Sequence, residues 1–240
     1  TFDNKNVGTG KTVTISSSYS GDDVSNYSVT SQSSTTAAIV KKALTASASA
    51  SNKTYNGNTT ATTTLSFSGL IGSETLGQSV SSTFNNKNVG TGKTVTVNSI
   101  TLSDGSNGGL AGNYIISTGQ TTTANITAKA LTVSGITASN KTYDANTVAT
   151  LDLTGTSYSG LVAGDDISIS ATGTFDNKNV GTGKTVNISS SYSGVDVGNY
   201  SITDQSSTTA NITASVSGIT IRGITANNKN YDGNNSATLD

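Results

Sequence analysis

Cysteine, histidine, methionine, tryptophan and proline are all missing from the 240 residues. Without cysteine there is no disulfide and no thiolate metal site, although this alone does not place the chain in a reducing compartment. Without histidine the usual general base and the commonest nitrogen ligand are gone. No nucleophile arrangement stands out either, so no catalytic or cofactor-binding residue is expected and the chain reads as a non-enzyme. Charge is scarce: charged residues are 11%, with 13 basic against 14 acidic side chains and a net charge of -1. That balance offers no nucleic-acid surface. No apolar run approaches the roughly 20 residues of a membrane helix. No signal segment or initiator Met opens the sequence, so it is expected to be an internal piece of something longer.

What is present is mainly Thr, Ser, Asn, Gly and Ala, with hydrophobic residues at 32%. Thr and Val suit a pleated, half-buried surface, and Asn and Gly supply turns. The composition predicts many short strands around thin cores. Self-similarity is the strongest signal. The segment Thr1-Phe-Asp-Asn-Lys-Asn-Val-Gly-Thr-Gly-Lys-Thr-Val13 returns at Thr83, with Asn85 for Asp, and unchanged at Thr174. Asn-Tyr recurs at Tyr27, Tyr114 and Tyr200, in steps of 87 and 86. Asn-Lys-(Thr/Asn)-Tyr recurs at Tyr55, Tyr143 and Tyr231, both steps being 88. The frame is therefore residues 1–42, the later part of a repeat; 43–129 and 130–214, two complete repeats; and 215–240, the opening of another.

Within 130–214 the apolar pattern predicts seven strand-like runs. They lie around Leu131 and Val133, over Ala149–Leu153, at Ile167 and Ile169, from Phe175, at Val186 and Ile188, at Tyr200 and Ile202, and at Ala210 and Ile212. The expected fold is all-β: tandem antiparallel, β-sandwich-like repeats of about 88 residues, Ig-like or β-grasp-like, forming an elongated rod. Ile126–Val133 contains neither Gly nor Pro and reads as one strand running from one repeat into the next, not as a flexible linker.

Residues 136–151, with Tyr143-Asp-Ala145, resemble the opening of the YDG-type (MBG-like) tandem repeats of large bacterial filamentous-haemagglutinin-like adhesins. Tyr231-Asp-Gly233 carries the name tripeptide intact, and Tyr55-Asn-Gly57 departs from it at one position. Gly-Asp-Asp, Phe-Asp-Asn-Lys-Asn-Val-Gly-Thr-Gly-Lys, Gly-Asn-Tyr and Thr-Ala-Asn-Ile-Thr-Ala-Lys-Ala-Leu follow in the same order as in that family, over the whole chain. The resemblance implies a secreted or cell-surface protein of Gram-negative bacteria, exported by two-partner secretion, with the repeats as stalk or matrix modules and no catalytic site. A chain threaded through a narrow export pore gains from having no crosslinks to untangle.

Several motifs invite chemistry. Gly8-Thr-Gly-Lys-Thr12 and its copies look like a phosphate loop. Yet Lys5, Lys87 and Lys178 stand where the first Gly would be, and strands follow in place of a helix, so a hairpin turn is expected. Asp22, Asp23, Asp165 and Asp166, with Asp196 and Asp104 in Gly-rich loops, are the calcium candidates, but no D-x-D-x-D-G run supports them. Asp144 with Asn140, and Asp232 with Asn228, are expected to form Asx-type bonds pinning the turn after the tyrosine. Tyr143 and Tyr200 are expected to put rings at the core edge with hydroxyls outward, or to form a sugar-stacking platform. Lys141 or Lys178 beside an Asn is a candidate for an intramolecular isopeptide bond. Asn-X-Ser/Thr triplets at Asn26, Asn52, Asn125, Asn140, Asn199 and Asn211 are candidate glycosylation sites.

Two function classes remain. One is an extracellular adhesin stalk or matrix filament supporting cell adhesion or biofilm, whose partners are neighbouring repeats and other copies in a filament. The other is a multivalent module binding surface glycans, matrix polysaccharide or protein. Exposed aromatic clusters would mark the second, and aromatics are only 5%. The partial repeats at the two ends also suggest head-to-tail completion between copies, in the manner of strand donation.

Overall fold

Small apolar residues alternating with Ser, Thr and Asn leave one face of each segment fit for burial and the other for water. In the computed structural model, which describes residues 1–218 and 220–240, this pattern forms twenty strands and three single-turn 3₁₀ helices among the described residues. The chain is all-β. By compactness it divides into unit 1 (1–130, 162–166 and 195–201) and unit 2 (131–161, 167–194 and 202–240).

Residues 1–42 supply β1 (Gly8–Thr14) and β2 (Ser34–Ile39), an antiparallel pair. The second repeat supplies β3 (Lys42–Ala50), β4 (Lys53–Thr54), β5 (Thr60–Ala61), β6 (Thr63–Ser68), β7 (Leu76–Phe84), β8 (Gly90–Asp104), β9 (Tyr114–Ile116) and β10 (Thr121–Thr127). They form a five-stranded sheet in the order β4-β10-β8-β7-β5 and a three-stranded sheet β6-β3-β9. Each sheet holds one parallel pair, β4 with β10 and β3 with β9; the other pairings are antiparallel.

The third repeat supplies β11 (Lys129–Ser134), β12 (Thr137–Ala138), β13 (Lys141–Thr142), β14 (Val148–Ala149), β15 (Leu151–Asp152), β16 (Ser157–Ser159), β17 (Ser168–Phe175), β18 (Gly181–Ser193), β19 (Tyr200–Thr203) and β20 (Ser207–Thr213). Its five-stranded sheet, β13-β20-β18-β17-β14, repeats the order of the second. Ala149, Phe175, Val186, Ala210 and Ile212 form its core, with Ala138 and Leu151 packed against them. Phe84, Val95, Ala124 and Ile126 are the counterparts in the second repeat, all buried. Burying one such Ile or Val contributes about 1.5–3 kcal/mol, so a core this small depends on hydrogen bonding being complete.

Several sequence expectations change in detail. The runs marked by Ile169 and Phe175 are one strand, β17, which begins just after Ile167, because Ala171 and Gly173 between them are too small to register as an apolar pattern. Ala149–Leu153 breaks at Thr150: β14 pairs with β17, while β15 pairs with β12. Both Ala149 and Leu151 still face the core, because Gly173 leaves room; a Cβ there would lie 2.7 Å from Leu151 Cδ2. The link between repeats is not one strand. It breaks at Ala128, and β10 and β11 lie in different sheets.

Gly-Thr-Gly-Lys is a bulge at a strand start, not a hairpin turn. Gly10, Gly92 and Gly183 take φ values of 62°, 59° and 58°, and the ladder slips at that point in all three copies. A left-handed first bulge residue is strained for anything but glycine. Asparagine locks each complete copy. The Asn125 side-chain oxygen accepts from Gly92 N–H at 2.8 Å, and Asn52 accepts from Asn125 N–H at 2.7 Å. Asn211 and Asn140 repeat both bonds at 2.8 and 2.7 Å. These four Asn-X-Ser/Thr asparagines thus accept backbone N–H groups through their side-chain oxygens, and Asn199 is a fifth.

Candidate functional site: a lysine–tyrosine–carboxylate junction

Lysine organises the two recurring motifs. In the turn after the Asn-Lys-(Thr/Asn)-Tyr block, Lys141 Nζ donates to Asn146 Oδ1 at 2.9 Å and to the Val148 carbonyl at 3.0 Å, and lies 2.7 Å from Asp144 Oδ1. Lys53 does the same with Asn56, Asn58 and Thr60, and Lys229 with Asp232 and Asn234. Lys53 and Lys141 also lie over the Phe84 and Phe175 rings at 5.4 and 5.8 Å. The expected Asx bonds exist with different partners. Asp144 and Asp232 accept from Asn146 and Asn234, two residues on, while Asn140 serves Asn211. Lys141, an isopeptide candidate, has its Nζ against the half-exposed carboxylate of Asp144. Lys11 and Lys184 bridge to Asp3 and Asp176 at 2.9 and 2.8 Å. Each lysine holds its carboxyl below the ordinary aspartate range.

A third lysine position builds the candidate site, which lies wholly within unit 1. Lys87, in the turn between β7 and β8, reaches Asp196 Oδ1 at 2.8 Å and Asp165 Oδ1 at 3.1 Å. Tyr55, fully buried after β4, donates to Asp165 at 2.9 Å; Tyr200, at the start of β19, donates to Asp165 Oδ2 at 2.6 Å. The Tyr200 oxygen in turn accepts from Val162 N–H at 2.9 Å. The two rings meet edge to face, 5.5 Å between centroids. Asn199, also buried, accepts from Val89 N–H at 2.9 Å, and Asp196 accepts from Asp166 N–H at 3.1 Å.

Electrostatics follow from this geometry. Burial pushes the Asp165 carboxyl up, but the Tyr200 and Tyr55 hydroxyls and the Lys87 ammonium outweigh it and hold the group below the usual carboxylate range. Asp196 is held low by Lys87 and by the Asp166 N–H. Lys87 is raised, first by Asp196, then by Tyr55 and Asp165. Burial, then the Asp165 carboxylate, pushes the Tyr200 phenol up to about 12.

In sequence, Tyr55, Lys87 and Val89 belong to the second repeat, and Val162, Asp165, Asp196, Asn199 and Tyr200 to the third. The same arrangement occurs one repeat earlier. Lys5 Nζ lies 3.1 Å from Glu74 Oε1, Tyr114 donates to Glu74 Oε2 at 2.5 Å, and the Tyr114 oxygen accepts from Ile71 N–H at 3.2 Å. Asn113 accepts from Val7 N–H at 2.9 Å, as Asn199 does from Val89. The Tyr114 hydroxyl and then Lys5 hold Glu74 below its ordinary range. Glu thus replaces Asp165 without changing the role.

Of the calcium candidates, Asp165 and Asp196 are brought into this site, but the Asp165 carboxylate takes a lysine and two phenols, and that of Asp196 the same lysine and the Asp166 N–H. Asp166 contributes backbone only, and Asp22 and Asp23 are exposed elsewhere. Among the described residues no three carboxylates converge. Tyr200 has its ring buried as expected, but its hydroxyl points into the network instead of outward; Tyr143 is half-exposed. Asn199 lies buried in the junction, whereas Asn26 is exposed. Sequence reasoning did not assemble Tyr55, Lys87, Glu74 and Tyr114. The available signal was polar: Lys-Asn-Val and Asn-Tyr recur at the repeat period, outside the apolar pattern.

The model of the YDG domain matches residues 1–37, 40–124 and 127–210. The chain belongs to the YDG domain family. No curated protein and no solved structure matches it. In this YDG chain the tyrosine of Tyr55-Asn-Gly57 is a junction residue, its ring buried and its hydroxyl on the third repeat's Asp165.

Proposed function

We propose that these YDG repeats are structural stalk or filament modules of a secreted bacterial surface adhesin, supporting cell adhesion or biofilm matrix, and not an enzyme. The observation that carries this reading is the twice-built junction. The same lysine, asparagine and tyrosine positions couple the first repeat to the second and the second to the third, with Glu74 and Asp165 interchangeable. A chain that spends its few charges on coupling successive modules suits a mechanical task, in which each repeat adds a fixed increment of length. The absence of cysteine suits export without crosslinks to resolve. The two-partner route and the extracellular location rest on the family likeness.

Electron microscopy of the chain tests it. The expected images are thin unbranched particles with a regular axial step. The step should be near the length of the longest strand, about 50 Å for β8 at roughly 3.3 Å per residue. That is far below the roughly 290 Å one repeat spans when extended. Modules tumbling independently, with no fixed step, would overturn the reading.

A further inference from the structure

The turn that follows Tyr55 puts a side-chain amide where its counterparts hold a carboxylate. Lys141 Nζ lies 2.7 Å from Asp144 Oδ1, and Lys229 Nζ 2.9 Å from Asp232 Oδ1. In the same seat Lys53 Nζ donates to Asn56 Oδ1 at 2.9 Å. Its other bonds go to Asn58 Oδ1 at 3.0 Å and to the carbonyls of Asn58 and Thr60 at 2.7 and 3.0 Å. Among the described residues no carboxylate pairs with Lys53. Burial, with no opposite charge to offset it, holds this ammonium below the ordinary lysine value.

Packing calls for glycine at the next position. Gly57 takes φ 79°, and a Cβ on it would lie 2.8 Å from Val162 Cγ1. Glycine after asparagine leaves the backbone nitrogen open to the side-chain carbonyl carbon, because no Cβ shields it. Asn56 is exposed, so water and hydroxide reach it. The Lys53 ammonium polarises its Oδ1, and among the described residues nothing accepts from its Nδ2 or from Gly57 N–H. The second Asn-Gly step, Asn107-Gly108, is built differently. Asn107 itself sits at φ 57°, and its Nδ2 is held by the Ser73 carbonyl at 3.0 Å.

We propose that Asn56 is a self-processing site: the Gly57 nitrogen attacks Asn56 Cγ, and the turn deamidates to the aspartate that Lys53 is placed to receive. The steps balance with water alone. Hydroxide takes the Gly57 amide proton, the nitrogen bonds to Cγ, and the Cγ–Nδ2 bond breaks as ammonia leaves with a proton from water. The product is a succinimide ring. Water then opens it. Cleavage of the new N–Cγ bond restores the main chain with aspartate at position 56, whereas cleavage at the backbone carbonyl gives isoaspartate. Isoaspartate would add a carbon to the main chain between Tyr55, buried on Asp165, and Gly57, packed on Val162. With both sides of the turn fixed, the folded chain favours the aspartate opening. Its product gives Lys53 the ion pair that Lys141 and Lys229 already have.

The test is incubation of the full 240-residue chain at mildly alkaline pH, followed by intact mass and peptide mapping. Electron-transfer fragmentation separates aspartate from isoaspartate, and a synthetic peptide of residues 50–62 is the unfolded reference. The chain is expected to gain about 1 Da at position 56 ahead of position 107, with a larger share of aspartate than the peptide gives. Asn56→Gln, whose longer side chain closes a ring less readily, should show no change at that position. Asn56→Asp, which carries the finished carboxylate, should melt about 1–4 °C above unprocessed wild type. Three results overturn the proposal. One is a chain that keeps its amide at position 56 after the peptide has converted. Another is isoaspartate in the same proportion as in the peptide. The third is an Asn56→Asp protein that melts at or below wild type.

Discussion

Replacing Asp165 by alanine isolates the junction's centre. Three donors converge on this carboxylate: Tyr55 at 2.9 Å, Tyr200 at 2.6 Å and Lys87 at 3.1 Å. In Asp165→Ala the Tyr55 hydroxyl loses its acceptor inside a residue that is 1% exposed. Leaving a buried donor unmade costs about 1–3 kcal/mol. Tyr200 keeps the Val162 N–H on its oxygen but loses a place for its own proton, adding about 1 kcal/mol. The sum is about 3 kcal/mol. Asp165→Asn keeps one acceptor oxygen and exchanges charge-assisted bonds for neutral ones, so its loss is about 1–2 kcal/mol. Asp166→Ala, next in sequence and exposed, should fall within about 0.5 kcal/mol of wild type. The assay is urea unfolding followed by circular dichroism and tyrosine fluorescence, with the midpoint shift read at constant slope. An Asp165→Ala protein indistinguishable from Asp166→Ala would refute the reasoning, since it would mean the three donors are equally well served by water.

Two further outcomes follow from the same geometry. Ala145 adopts φ 65° where the other two copies of the turn have Gly57 and Gly233 at 79° and 75°. A left-handed non-glycine residue costs about 1–2 kcal/mol, partly offset by glycine's larger unfolded-state entropy. Ala145→Gly should therefore stabilise the third repeat by about 0.5–1 kcal/mol in thermal unfolding, and a loss of stability would contradict the strain. Stability should also vary with pH in a fixed sense. Asp3, Asp165, Asp176, Asp196 and Glu74 are all lowered from values of 3.8 or 4.5. Their contribution is complete above the unfolded values and is lost as pH falls through the lower folded ones. Tyr200, raised from 10.0 to about 12, contributes fully below pH 10 and loses that contribution as pH rises through about 12. Melting temperature should be flat between about pH 5 and 9 and drop on both sides; a maximum below pH 4 would oppose the carboxylate assignments.

The all-β class and most of the core were legible because they follow from local chemistry. Val186, Ala210 and Ile212 alternate with polar residues and are buried for that reason. The two-residue strands β4 and β13 were not legible. Each is held beside the last strand of its repeat by a pairing some seventy residues distant, and Lys-Thr has no apolar signature. The parallel pairs escaped for the same cause, since nothing local distinguishes a parallel edge. The junction was missed on different grounds. Its residues repeat as faithfully as the core, but they are polar and sit in turns, where Asn, Asp and Lys are explained well enough by turn chemistry. Gly-Asp-Asp read as a loop with calcium-like acids; the cation that reaches it is Lys87, supplied from 78 residues earlier in the chain.

Lysine also explains how so polar a sequence packs at all. In a chain whose hydrophobic residues are 32% and whose charged residues are 11%, an aliphatic stem with three donors at its tip does two tasks at once. At the turn position Lys53 and Lys141 cover phenylalanine rings while fastening the turn. At the bulge position the stems of Lys11, Lys93 and Lys184 lie against Gly8, Gly90 and Gly181, with side-chain carbons 3.3–3.4 Å from where a Cβ would stand. At the junction position Lys5 and Lys87 each reach the carboxylate of the following repeat. Turn, bulge and junction are distinct positions in each repeat: one fixes the tyrosine's hairpin, one seats the strand, one joins the modules.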